Sequence, residues 1–291
     1  MLHSLNNNKI YITVDSIGAQ LRSIADLHGV QYLWQGSDKY WRDSAILLFP
    51  IIGALRDKKA LINGEYYSMP SHGIARGYSF KKIESGADAL AFEMKSNEET
   101  KKMYPFDFTY QISFELTDMC LTQRITVIND GDAPMPYTLG CHPGFNVPFD
   151  ADEEFGDYVI KFEKAETCDS PTIEKPSSII LEDKRMEVLQ NSDTLSLTHE
   201  MFYNDALILE NIKSRSVTLM STNTYKGVQV DFDGFDYLGL WQFKDAPFVC
   251  VEPWTGTATT NKESDDFASK RGMKTLNKNE RAEYIMRISL V

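Results

Sequence analysis

Short runs of β-prone residues, each closed by turn residues, dominate the chain. The first is Ile10-Tyr11-Ile12-Thr13-Val14, and a second covers residues 31–35 after turn chemistry at Asp26 and Gly29. Residues 60–69 hold two such runs joined by Asn63-Gly64, the pair that favours a tight hairpin turn. Further runs cover 89–95, 108–116, 120–128, 157–162, 216–221, 227–232, 238–243, 248–252 and 283–290. Within 120–128, Leu121, Ile125 and Val127 keep part of the alternation of a strand with one buried face. Helical signals are confined to 38–43 and 264–272, the latter with Gly272 as a stop. Residues 165–193 are polar, carry Pro171 and Pro176, and read as a long loop with short strands.

Nowhere do strands alternate with long helices, which argues against doubly wound and barrel α/β folds. No Gly/Ser/Pro-rich linker and no fixed-period repeat divides the chain. The prediction is one all-β domain over residues 1–291, a large antiparallel β-sandwich with a broad sheet face on which a ligand can sit.

Three polar groups stand out because of their settings. His72 lies in Ser-His-Gly-Ile-Ala-Arg-Gly, His142 in Gly-Cys-His-Pro-Gly-Phe-Asn, and Glu252 in Phe-Val-Cys-Val-Glu-Pro-Trp. The chain has only five histidines, and two occupy what read as glycine-flanked turns. A carboxylate after Phe-Val-Cys-Val is costly to bury, and apolar surroundings raise its pKa toward neutrality. Two imidazoles and such a carboxyl form an acid/base set. Arg76 can bind a hydroxyl or a phosphate, and Trp241 and Trp254 offer flat apolar faces to a sugar ring.

Charge narrows the partners. A formal net charge of −12 disfavours nucleic acid and anionic membrane surfaces. The first residues lack a signal-peptide pattern, and the apolar run 45–55 is broken by Pro50 and too short to cross a bilayer, so a cytoplasmic protein is expected. Cys120, Cys141, Cys168 and Cys250 show no CxxC spacing, which predicts reduced thiols and no metal site. With no Gly-rich strand-to-helix fingerprint either, no cofactor is expected.

Taken in order, Leu48-Phe49-Pro50-Ile51-Ile52-Gly53, His72-Gly73-Ile74-Ala75-Arg76, His142-Pro143-Gly144-Phe145, Asn204-Asp205-Ala206-Leu207, Leu240-Trp241 and Val251-Glu252-Pro253-Trp254 make a specific set. With it the chain resembles the aldose 1-epimerase (galactose mutarotase-like) family, in the branch associated with lactose operons. The resemblance implies the family's β-sandwich and interconversion of the α and β anomers of a hexose without metal or nucleotide. It also implies Glu252 as base, His142 as acid, His72 as a hydrogen-bonding helper and Asp205 as a ligand of sugar hydroxyls. Where family members carry an arginine just after the Phe-Pro-x-x-Gly stretch this chain has Ala54, and Arg56, two residues on, is the candidate replacement if the segment is a strand. The competing readings are a non-catalytic sugar-binding or regulatory protein, an enzyme acting on a phosphorylated hexose, a glycoside hydrolase or lyase, and a metal-dependent cupin. A hydrolase needs two carboxylates at a defined separation, and a cupin needs clustered histidines.

Overall fold

The computed structural model describes residues 1–86 and 89–291. Two antiparallel sheets carry most of the strand residues. The larger has nine strands in the order Ile179–Ser196, Tyr158–Glu174, Ser216–Ser221, Gly227–Asp231, Arg281–Leu290, Cys120–Asn129, Phe108–Thr117, Ala89–Lys95 and Lys81–Ser85. The smaller has five, in the order Leu207–Glu210, Tyr237–Trp241, Phe248–Trp254, Gly140–Asn146 and Ala45–Leu48. A three-stranded sheet, Leu2–Asn6, Ile10–Asp15 and Gln20–Asp26, and two short ribbons complete the architecture. The all-β sandwich read from the sequence is the observed fold.

Alternation explains the larger sheet. Leu121, Ile125 and Val127 pair across the ladder with Leu116, Ile112 and Tyr110, and all six are buried. They share a core with Leu47, Val249 and Val251 of the smaller sheet, so the two sheets pack through one apolar layer. The smaller sheet is buried on both faces. One face meets that core. The other meets a separate cluster of Ile46, Leu48, Ile52, Ile208 and Trp254, with Ile180 and Ala258 brought in by neighbouring segments.

The hairpin at 60–69 forms as expected, with Lys59–Ile62 paired to Glu65–Ser68 and both Asn63 and Gly64 at positive φ. Four other expectations need correction. Residues 165–193 belong to a long, bulged hairpin, Tyr158–Glu174 against Ile179–Ser196, with four register shifts, one of them just after Pro171. Much of this hairpin is exposed, so it lacks the apolar alternation that marks a strand, and its proline sits at an irregularity where a missing donor is tolerated.

Residues 31–35 make only isolated bridges at Gln31 and Leu33. There the Asn146 side-chain amide donates to the carbonyls of Gln31 and Leu33, at 2.8 and 3.2 Å, in place of a continuous ladder. Residues 38–43 form a non-helical turn in which the Ser37 N–H donates to the Trp41 carbonyl. The second helical signal shrinks to a single 3-10 turn, Phe267–Ser269. Among the described residues no helix is long and apolar enough to cross a membrane.

Candidate active site

The pocket face of the five-stranded sheet is built from one row of side chains. Ladder register places Ile208 beside Gly239, Gly239 beside Glu252, and His142 beside Ile46. The pairings Gly140↔Trp254 and Gly144↔Cys250 put His142 opposite Glu252 between them. Sequence positions 110 residues apart thus become cross-strand neighbours. His142 therefore sits in a central strand and not in the turn that its glycines suggested. Those glycines make room for aromatic rings instead: a Cβ at Gly140 would lie 2.6 Å from the Trp254 indole and one at Gly144 3.2 Å from the Trp41 indole, while Gly239 on the neighbouring strand makes room for Trp254 in the same way, at 2.4 Å.

His142 Nε2 stands 3.2 Å from Glu252 Oε2. Both side chains are almost fully buried, at 6% and 1% exposure. Burial drives the Glu252 carboxyl well above the usual carboxylate range, and nearby Asp205 adds to the rise. The Trp254 indole N–H tempers it, although its geometry falls short of a full hydrogen bond. Burial likewise holds the His142 imidazole well below its ordinary value, helped by His72 and Arg76. Both effects favour a neutral carboxyl beside a neutral imidazole, a pair holding one proton.

His72 reaches the same place from a loop. Its own φ is +66° and that of Gly73 is +77°. A Cβ at Gly73 would lie 2.2 Å from the Phe49 carbonyl oxygen, so the chain can dock there only with glycine. The Phe49 carbonyl in turn accepts from the Ile74 N–H at 2.7 Å, joining the Phe-Pro-x-x-Gly and His-Gly segments. His72 Nδ1 accepts from the Gly53 N–H at 3.3 Å, which leaves the proton of the neutral ring on Nε2. Burial, with Arg76 nearby, lowers its pKa to about 4, so the ring is a neutral hydrogen-bond donor at physiological pH. Its centroid lies 5.5 Å from that of His142.

A cavity of about 260 Å³ opens over this floor, close to the lower end of ligand pockets at roughly 300 Å³. His72, Arg76, His142, Asp205, Glu252 and both expected tryptophans, Trp241 and Trp254, line it. Asp205 adopts φ +122°, a conformation costly for a residue with a side chain and one that recurs at functional sites. Its Oδ1 accepts from the Ala206 N–H, and Lys175 from the tip of the long hairpin lies 3.6 Å from Oδ2. That tip also supplies Ile173 and Ser178 to the cavity wall.

Arg56 does not join the site. It opens a 3-10 turn instead of continuing a strand, so the i, i+2 argument fails. Its guanidinium donates to Asp265 and to the carbonyls of Thr260 and Glu263, at 2.8–2.9 Å. Ala54 itself lines the cavity, and Arg76 is the one guanidinium there. Arg56→Met is therefore expected to lower stability by about 1.5–3 kcal/mol, the range for hydrogen bonds to a charged group, while leaving turnover within a few-fold of wild type. Thermal melts beside steady-state kinetics check this, and a large rise in KM at unchanged Tm would return Arg56 to the site.

The sequence reading missed Trp41. Its ring lies 4.8 Å from the His142 ring and 5.8 Å from Trp241, so His142 is walled by Trp41, Trp241 and His72. The available signal was a Tyr-Trp pair in a polar stretch, which a helical reading obscured. Proximity also gathers a cluster that spacing rules could not show. Donor atoms of His142, Cys250 and Glu252 all lie within 4.8 Å of one another.

The chain is similar to known proteins in sequence and in fold. The family model described as aldose 1-epimerase matches residues 1–270. The chain is 33% identical over 277 residues to the chromosomal LacX protein of Lactococcus lactis subsp. lactis, covering 93% of each. A galactose mutarotase related enzyme from Lactobacillus acidophilus superposes with a TM-score of 0.93 at 27% identity, over 100% of this chain and 97% of that one. A galactose mutarotase-like protein from Lactobacillus casei gives a TM-score of 0.92 at 29% identity, with complete coverage of both. With its fold, its ordered segments and this full-length likeness, the chain belongs to the aldose 1-epimerase family.

Proposed function

We propose that this chain is a mutarotase, one domain with one site, that interconverts the α and β anomers of a hexose by opening and reclosing the pyranose ring. The observation that carries the reading is the His142–Glu252 pair, 3.2 Å apart and buried at the floor of a sugar-sized cavity. Ring opening takes a proton from the C1 hydroxyl and gives one to the ring oxygen. A buried pair that holds one proton and has one vacant basic site can do both without exchanging protons with water. In the assignment we favour, Glu252 accepts the C1 hydroxyl proton and His142 donates to the ring oxygen. The aldehyde then rotates about the C1–C2 bond, and the two groups reverse roles to close the ring on its other face.

For Glu252 to act as base, its proton must first pass to His142. Burial opposes that ion pair in the free site, so hydrogen bonds from bound sugar have to offset the cost. In this reading His72 Nε2–H donates to a sugar oxygen, Asp205 accepts from hydroxyls, and Arg76 donates to an oxygen at the rim. Trp41, Trp241 and Trp254 supply apolar surface for the C–H faces of the ring. Asp205 and Glu252 are the carboxylates that line the cavity, but Asp205 is already engaged by Lys175 and its own neighbour's N–H. Acid/base epimerisation therefore fits better than glycoside hydrolysis.

Polarimetry on freshly dissolved α-anomers of galactose, glucose and their 6-phosphates tests the proposal. Enzyme-dependent acceleration is expected for at least one of these sugars. Failure with all of them, combined with calorimetric binding of one, would favour the non-catalytic sugar-binding reading. Activity is also expected to survive exhaustive chelation, because both proton transfers are assigned to side chains. Loss of turnover that one specific metal restores would overturn that assignment.

A further inference from the structure

The cluster beneath the acid/base pair contains more than proton transfer requires. Cys250 lies two residues before Glu252 in the Phe248–Trp254 strand, so its side chain shares the pocket face of the sheet. It is fully buried, packed with Trp34, Trp41 and Trp241, and directly opposite Gly144. A Cβ at position 144 would come within 3.3 Å of its sulfur. The thiol, the His142 imidazole and the Glu252 carboxyl bring their donor atoms within 4.8 Å of one another. Glu252 Oε2, though 3.2 Å from His142 Nε2, makes no hydrogen bond of full geometry, and neither does the buried Nδ1 of His142.

We infer that Cys250, His142 and Glu252 form a binding site for a borderline divalent cation of the zinc class, and that occupancy shuts the acid/base pair. A sulfur, an imidazole nitrogen and a carboxylate oxygen are all donors that zinc accepts, and three protein ligands with a fourth position open is a recurrent zinc arrangement. Calcium and magnesium do not fit, because they require six or more oxygen ligands or near-octahedral oxygen coordination. Donors held at about 2.0–2.3 Å from a tetrahedral ion stand roughly 3.5 Å apart, so closure on the metal calls for side-chain rotation within the existing strands.

Binding releases two protons, one from the thiol and one from the His142–Glu252 pair. The thiolate and carboxylate then carry two negative charges against the two positive charges of the ion. The buried site stays neutral overall, which limits the cost of burying the metal. With the metal in place, neither His142 nor Glu252 can exchange a proton with sugar. The binding claim stands on geometry alone, whereas the inhibition claim also rests on the proposed mutarotase activity.

Cobalt(II) is the probe that separates the two claims, since a thiolate ligand produces a charge-transfer absorption band whether or not the protein is an enzyme. Titration of metal-free protein is expected to give this band at one equivalent. Cys120→Ser and Cys168→Ser should keep it, and Cys250→Ala should lose it. Zinc is expected to inhibit mutarotation, and Cys250→Ala to keep basal turnover while raising the half-inhibitory zinc concentration at least ~10-fold, the least that even an outer partner of a metal site contributes. Should Cys250→Ala fail to fold, Cys250→Ser and Glu252→Gln read the same band, and both should diminish it. No thiolate band at stoichiometric cobalt, or a band that survives loss of Cys250, overturns the site. Zinc inhibition unchanged in a folded Cys250→Ala protein overturns the inhibitory role, even if turnover itself is established.

Discussion

Glu252→Gln and His142→Asn are each expected to slow anomer interconversion at least ~100-fold, the lower end of what a positioned acid or base contributes. The loss should fall on kcat, because each group acts on a proton in flight and not on the resting sugar. Both replacements are close in size to the originals and neutral, as burial already makes the free pair. The fold should therefore survive, and circular dichroism with a thermal melt verifies that before kinetics are compared. The double variant should be little slower than either single one, since the two residues work as a unit. Near-wild-type turnover in either folded variant removes that residue from the chemistry.

The second large effect is on the pH profile of kcat/KM. Reading the motifs alone, one assigns the acid limb to ionisation of Glu252 and the alkaline limb to loss of the His142 proton, which makes a bell. Burial reverses the assignment while keeping the bell. The working pair holds one proton. As pH falls, the next proton goes to His142, whose pKa is pushed well below its ordinary value, so the acid limb lies below the usual histidine range. As pH rises, the last proton leaves Glu252, whose pKa is pushed well above its ordinary value, so the alkaline limb lies above the usual carboxylate range. In His142→Asn the Glu252 proton has no imidazole to pass to, so Glu252 must lose it before acting as base, and the residual rate should rise with pH through the raised Glu252 pKa and show no alkaline limb. The motif-based assignment predicts the same shape with the rise in the usual carboxylate range, whereas burial places it well above that range. A rise within the usual carboxylate range would show that burial does not set the Glu252 ionisation. A variant that keeps the full bell would move the acid role to His72.

Turn chemistry and strand alternation are local, and they were legible. Asn63-Gly64 specified its hairpin, and Leu121, Ile125 and Val127 specified which face of their strand is buried, because each signal depends on residues close in sequence. The apolar setting of Glu252 likewise announced a carboxyl with a raised pKa before any partner was visible. What sequence could not carry was anything decided by a partner strand or by cover from a distant loop. His142 looks like a turn residue because of its glycines, but Gly140 makes room for the Trp254 indole, from a neighbouring strand more than 100 positions away, and Gly144 for Trp41 and Cys250. Arg56 looked like a site residue because i and i+2 share a face in a strand, but the chain turns there and Asp265, from near the C-terminal end, takes the guanidinium.

Trp41 and Cys250 entered the picture only through packing, one as a wall of His142 and the other as the third donor beside the acid/base pair. The sequence by itself determined the fold class and the types of chemical group available. Only the tertiary structure decided which of those groups meet, since sheet register converts separations of more than 100 residues into contacts of a few ångströms. The same burial then sets their protonation, because removing water from both members of a pair penalises charge on each.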